Sequence, residues 1–264
     1  MGQVIAIANQ KGGVGKTTTT FNLAAGLSTA GKRVLAVDMD PQGNLVKVMG
    51  YVPEQIENTI ADAFEALIRT DPIEKADIKE LMIHAKGIDV IPSNISLSSV
   101  EVTIVTATAR EYLLKEILNL VKDDYDYILI DCQPSLSVLV INALTAADSV
   151  IVPIKAEYLN ANGFAQLKRS IDYLQYKTNK DLKVQGVFLT MFNERLKEAQ
   201  GTLNDTLNMC EENGIRLFET KISTSTDAAV ASRNGVSIFE YKGNCKVADE
   251  YRSLIKEMLE DECR

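Results

Sequence analysis

Residues 11–18 read Lys-Gly-Gly-Val-Gly-Lys-Thr-Thr. The glycines at 12, 13 and 15 lack a Cβ, so backbone N–H groups on either side of Val14 can wrap around a phosphate. A helix starting near Lys16 would add the positive end of its dipole at the same point. Lys16 then brings a full charge to the β- and γ-phosphates of a nucleotide. The Thr17 hydroxyl is placed to hold Mg2+, and Thr18 can donate to the α-phosphate. Lys11 is the unusual residue. It opens the loop where a simple nucleotide binder needs no cation. A second positive charge aimed at the same phosphates points to nucleotide chemistry coupled to self-association.

Two acidic stretches complete the set. In Asp38-Met39-Asp40-Pro41-Gln42-Gly43-Asn44, acids one residue apart leave a strand on opposite sides and should do different work. Asp38 is a candidate for supporting Mg2+ through water. Asp40 leaves the strand at Pro41 and can reach an attacking water. Taken alone, the stretch reads equally well as an acidic turn with an Asp-Pro cap. In Tyr127-Ile128-Leu129-Ile130-Asp131, a buried strand would carry a carboxylate to Mg2+. Cys132-Gln133-Pro134-Ser135 follows where a γ-phosphate-sensing loop would lie.

The surrounding pattern must place these residues at one end of a sheet. Short apolar runs at Val4–Ala8, Val34–Val37, Val90-Ile91, Tyr127–Ile130, Val150–Pro153 and Val184–Leu189 predict strands. Helical spacing is expected over Thr17–Ala30, Arg110–Val121, Leu136–Ala147, Ala161–Tyr176, Glu198–Asn213 and Lys246–Glu260. Residues 53–86 read as helical and acidic, with His84 on a surface helix. A short strand is expected near Ile215–Phe218. Alternation of strand and helix implies an α/β fold with a mostly parallel twisted sheet covered on both faces. No repeat or linker divides residues 1–264, so one domain is expected.

The bulk numbers narrow the function. With 264 residues, 46% hydrophobic and 24% charged, the chain resembles an ordinary globular protein. Its net charge of −8 argues against a surface covered in nucleic-acid-binding cations. The imbalance sits in residues 1–150, net −7, against −1 for residues 151–264. Any basic patch is therefore local and belongs to the second part. Cys132, Cys210, Cys245 and Cys263 are scattered and His84 is the single histidine. A zinc or iron–sulfur site is not expected, and the cysteines read as free thiols.

The combination of KGGVGKTTT, DMDPQGN and YDYILIDCQPSLS resembles the ParA/Soj family of deviant Walker ATPases, relatives of MinD. IPSNISLSSVE, AREYLLKEIL, INALTAADSVIVPIKAEY and GVFLTMFNER are similar to family segments in the same order. The resemblance implies a P-loop ATPase using ATP and Mg2+, cytoplasmic and nucleoid-associated, with slow intrinsic hydrolysis. It implies a homodimer on ATP binding, with Lys11 reaching the partner's phosphates and Asp40 positioning or activating water. It also implies nonspecific DNA binding by the dimer, a ParB-type partner that stimulates hydrolysis, and a role in plasmid or chromosome partition. Arg195 matches a family arginine implicated in DNA binding. Asn193 is an adenine-contact candidate by analogy, with a loop-capping role as its equal.

Three features bear on that resemblance. Gln133 stands where chromosomal relatives have a first proline. In Lys221–Ala229, Asp227 falls near a family arginine and no proline follows Ile222, which puts DNA contact there in doubt; Lys168, Arg169, Lys197, Arg233, Lys242 and Lys246 are possible supplements. Fewer than a dozen residues precede the loop, which leaves no room for the helix-turn-helix of larger plasmid relatives. A MinD-like positioning ATPase on a membrane or other cargo is the alternative, but the acidic stretch Tyr251–Arg264 opposes an anionic lipid surface. An amide ligase on the same fold would need a substrate pocket.

Overall fold

The computed structural model of the chain describes residues 2–156 and 161–261. Seven strands form one sheet: β1 (Gln3–Ile7), β2 (Val34–Met39), β3 (Ile83–Ala85), β4 (Ile88–Ile91), β5 (Tyr127–Cys132), β6 (Ser149–Lys155) and β7 (Lys183–Thr190). Their order is β3-β4-β2-β5-β1-β6-β7. All neighbours pair in parallel except β3 with β4.

Helices connect the strands: α1 (Lys16–Thr29), α2 (Asn44–Val48), α3 (Ile60–Ile68), α4 (Lys75–Glu80), α5 (Ser96–Thr103) and α6 (Leu113–Val121). The rest are α7 (Val138–Ala146), α8 (Ala161–Lys177), α9 (Lys197–Asn213), α10 (Thr226–Arg233), α11 (Ile238–Lys242) and α12 (Lys246–Asp261). Strand residues alternate between two cores, as the period of two requires. Val4, Ala6, Leu35 and Val37 join the core that takes in α3, α5, α6, α7 and α8. Ile5, Ile7, Val34 and Ala36 join the core shared with α1, α2 and α12. The central strands are buried on both faces, which is why they read as unbroken apolar runs rather than alternating ones.

Several expectations are corrected. Residues 53–86 are not helical throughout: β3 closes the sheet edge as a hairpin, and His84 lies on it, paired to Asp89 at 2.5 Å. The expected strand at 215–218 reduces to one bridge, Val187 with Leu217. The amphipathic helix begins at Leu113 rather than Arg110, because residues 108–111 form turns and Tyr112 takes the N-cap position. Its predicted face, Leu113, Leu114, Ile117, Leu118 and Val121, is buried. The short helices α2, α5, α10 and α11 carry too few turns for a clear period and were not anticipated.

Candidate active site at the carboxyl ends of the central strands

β1, β2 and β5 end side by side, and their ends carry the loop and both acidic stretches. The loop bends where its glycines allow: Gly13 has φ 69° and Gly15 φ 85°. The turn is held from both sides. Asn9 donates its amide to the Pro153 carbonyl at 2.7 Å and accepts the Lys11 N–H at 3.0 Å. Thr190, at the end of β7, donates to the Val14 carbonyl at 2.9 Å. Lys16 starts α1, is buried, and donates to the Lys11 carbonyl at 3.1 Å. Burial lowers its pKa, and the Asp131 carboxylate opposes that shift. Lys11, Gly12 and Gly13 are exposed at the rim.

Asp38 and Asp131 are register partners on adjacent strands, and both are fully buried. Their surroundings differ. Asp38 accepts the Asp40 N–H and the Leu45 N–H, each at 3.0 Å. Its carboxylate thus holds the turn into α2. Burial, then the charge of Asp131, pushes its pKa well above the carboxylate range. In Asp131, Oδ1 accepts a long bond from Thr20 at 3.4 Å, the Thr17 hydroxyl lies near the carboxylate, and Oδ2 has no geometrically formed hydrogen bond among the described residues. Burial raises its pKa to about 7, opposed by Thr17, Lys16 and Thr20. A buried carboxylate oxygen with an open lone pair is costly unless something fills it. Its chemistry, beside the Thr17 hydroxyl, fits a hard divalent cation.

Asp40 is nearly buried and is fixed in place by the Gln42 N–H at 2.9 Å and the Asn44 amide at 3.0 Å. It lines a cleft of about 340 Å3 with Gly12, Gly15, Lys16, Thr17 and Thr18. Gly13, Asn44, Val48, Cys132, Pro134 and Met191 complete the wall. The structure therefore brings together the loop, Lys16, Thr17, Thr18, Asp40 and, beneath them, Asp131.

The remaining candidates lie outside this cleft. Asn193 caps its own turn, accepting the Arg195 N–H at 3.1 Å, and does not line the cleft. Met191 takes the wall position two residues earlier, with a φ of 51°. Arg195 is exposed. Of the supplementary cations, Lys168 is paired with Asp172, Lys242 with Asp227 at 3.0 Å, and Lys246 with Glu250 at 3.6 Å. Arg195, Arg169, Lys197 and Arg233 have no ion pair among the described residues. Sequence reading passed over Asn9, Asn44, Met191 and Thr190. The two asparagines could have been suspected from their places beside the loop and the acidic turn; Met191 and Thr190 carry no such signal. Cys263 lies outside the described residues.

The family model described as an AAA domain matches residues 2–184. The sporulation initiation inhibitor protein Soj of Bacillus subtilis is 38% identical over 98% of this chain and 98% of its own length. The chromosome partitioning protein ParA of Myxococcus xanthus is 37% identical over 98% of this chain and 88% of its own. A crystal structure of a cobyrinic acid a,c-diamide synthase from Mycobacterium smegmatis, with bound ATP analog and magnesium, superposes with a TM-score of 0.85 at 32% identity, covering 100% of this chain and 96% of that one.

Proposed function

Because the chain belongs to the ParA/Soj family of ATPases, in the MinD-related group, we propose that it is the nucleotide-gated switch of a DNA-partitioning system. In this proposal it hydrolyses ATP with Mg2+, dimerises when ATP is bound, and holds DNA without sequence preference in that state. A ParB-type partner would then stimulate an intrinsically slow hydrolysis. The whole of residues 1–264 would act as one domain.

The observation that carries this reading is the unpartnered Asp131 carboxylate oxygen beneath a glycine cradle with a lysine at each end. Asp131 and Thr17 would hold Mg2+, which supplies charge neutralisation at the β- and γ-phosphates. Lys16 adds a cation from within the chain. Its burial weakens competition from water and strengthens that contact. Asp38, already engaged by two backbone amides, is better suited to shaping the Asp40 turn than to the metal. Asp40 is held at two atoms facing the cleft, which suits orienting a water for in-line attack.

The rim position of Lys11 supports dimerisation. Two triphosphates facing each other repel strongly unless cations stand between them, and Lys11 from each copy would supply one. Added side-chain volume at Gly12 has room within the chain, since a Cβ there meets nothing nearer than Pro134 Cβ at 3.9 Å. Gly12→Val should therefore leave the fold intact and block only the approach of a second copy.

A membrane role is less well supported. α12 turns Val247, Tyr251, Leu254, Ile255 and Met258 into the core, so that apolar face is not available to lipid. Among the described residues no helix is long and apolar enough to cross a membrane. DNA binding by wild type and Arg195→Ala, measured with ADP, ATP and a nonhydrolysable analogue, tests the proposal. Binding should need the triphosphate, weaken severalfold in the variant and fall steeply with salt. Binding that ignores the nucleotide would overturn the switch.

A further inference from the structure

Gly26 lies inside α1, where glycine weakens a helix. Close approach explains it. A Cβ there would run into Ile255 Cδ1 of α12 and the Phe239 ring of α11. Beside that contact the helices do not close. A cavity of about 720 Å3 opens between α1, α11, α12 and the turn joining β3 to β4, against about 340 Å3 for the nucleotide cleft. The two share no lining residue. Phe21, Ala25 and Ile255 line the cavity although each is otherwise buried, and Phe239 and Leu259 extend the same apolar floor.

The charged lining residues all reach solvent: Lys86, Arg252, Lys256 and Glu240. Three cations against one acid reverse the sign of a chain whose net charge is −8. Their donors are not equally engaged. Arg252 donates to Asp249 at 2.6 Å and to the Gly243 carbonyl at 2.8 Å, and its guanidinium lies 5.3 Å from the centre of the Phe239 ring. It holds that wall in place. The two lysines are held loosely. Lys86 reaches Glu240 at 3.5 Å and Lys256 reaches Glu260 at 3.7 Å, both longer than a charge-assisted hydrogen bond. Lys86 has a φ of 57° and precedes Gly87 at 72° in the β3–β4 turn, where asparagine or glycine is usual. Its side chain is only 27% exposed.

We propose that this cavity binds a monomeric anionic amphiphile, a medium-chain carboxylate in type, with its apolar chain against Phe21, Ile255 and Leu259 and its head at the rim formed by Lys86 and Lys256. The volume falls in the range of about 300–1,000 Å3 common to small-molecule sites, and so does the lining, mostly apolar with a few polar groups to fix orientation. Charge complementarity selects the head. A carboxylate would take Lys86 from Glu240, an exposed acid that water can solvate in its place. The same rim opposes a cationic head or a basic peptide, and the apolar floor offers a phosphate backbone nothing. A hollow walled by three helices admits one chain and not a bilayer. The site needs neither the nucleotide nor a second copy.

Calorimetric titration of the full chain with decanoate, and with decyltrimethylammonium as the cation of equal chain length, tests this below the micellar range. Decanoate should bind once per chain and at least about tenfold tighter than the cation. Saturating ADP with Mg2+ should leave that affinity unchanged. Lys86→Gln/Lys256→Gln alters two exposed side chains, so its thermal midpoint should stay within a few degrees of wild type while decanoate weakens at least about tenfold. Thr29→Trp, in the cavity wall, should abolish binding by filling the space, and Lys180→Gln, on an exposed loop away from it, should bind as wild type does. No binding of decanoate, equal binding of the two probes, displacement by ADP, or wild-type affinity in the double lysine variant would each overturn the assignment. Pelleting of the chain with vesicles of anionic phospholipid would make the occupant a bilayer and overturn the monomeric ligand.

Discussion

Two polar clusters in this molecule are built from the same materials and end in opposite states. At the carboxyl ends of β1, β2 and β5, Asp131 keeps an oxygen without a partner and Lys16 is buried with its pKa lowered. In a second cluster, residues 219–224 are clamped by two glutamates of α12. Glu257 accepts the Glu219 and Thr220 N–H groups at 2.8 and 2.9 Å and the Thr220 hydroxyl. Glu250 accepts the Ser223 N–H at 2.7 Å and its hydroxyl. Asp227 is likewise spent on Lys242. One cluster is left open and the other is closed. An open buried cluster is the mark of a ligand site, and a closed one is architecture.

The contrast can be broken most sharply at the open cluster. Asp40→Ala should slow hydrolysis roughly 100-fold or more while leaving dimerisation with ATP intact. Single-turnover phosphate release checks the rate, and wild-type turnover would remove Asp40 from the chemistry. Asp131→Asn should act in two directions at once. It should abolish Mg2+-dependent turnover and yet stabilise the ligand-free fold at pH 8 by on the order of 4 kcal/mol. The sign follows from the raised pKa. A carboxyl that titrates near 7 folded and near 4 unfolded costs stability as pH rises through that window. The gain should therefore vanish below about pH 4, where the wild-type group is neutral in both states. Thermal melts at the two pH values read it.

The closed cluster should give the smaller functional effect. Glu257→Ala strands two backbone N–H groups and should cost about 1–3 kcal/mol of stability. Affinity for a fluorescent ATP analogue should stay within about threefold of wild type, because no atom of that clamp lines the cleft. A large loss of nucleotide affinity would erase the distinction between the two regions.

How much of this was legible in the sequence differs in the same way. The loop, Asp40 and Asp131 could be singled out because glycine spacing and strand ends impose a local pattern, and the structure places them at the same end of the sheet. The central strands were found because burial on both faces leaves unbroken apolar runs. What stayed hidden depends on distant partners. β3 is three residues long and exists by pairing with β4. The 215–218 segment meets β7 through the single Val187–Leu217 bridge, and its Phe218 fills space beside Gly186, where a Cβ would come within 2.5 Å of its ring. Asp38 is a candidate for supporting Mg2+ through water by its type and strand-end position. Only the structure shows both its oxygens accepting backbone amides. The Glu250 and Glu257 clamp, at i and i+7 on α12, reads in sequence as two surface charges.

The central claim is that nucleotide closes the open cluster by bringing a second copy to it, with Lys11 as the gate. The direct measurement is the mass of the full chain in solution, by sedimentation, for wild type and Lys11→Ala with Mg2+ and either ADP or a nonhydrolysable ATP analogue. Wild type should be a monomer with ADP and a dimer with the analogue, and Lys11→Ala a monomer with both while still binding the analogue. A Lys11→Ala protein that dimerises like wild type, or a wild type whose mass ignores the nucleotide, would contradict it.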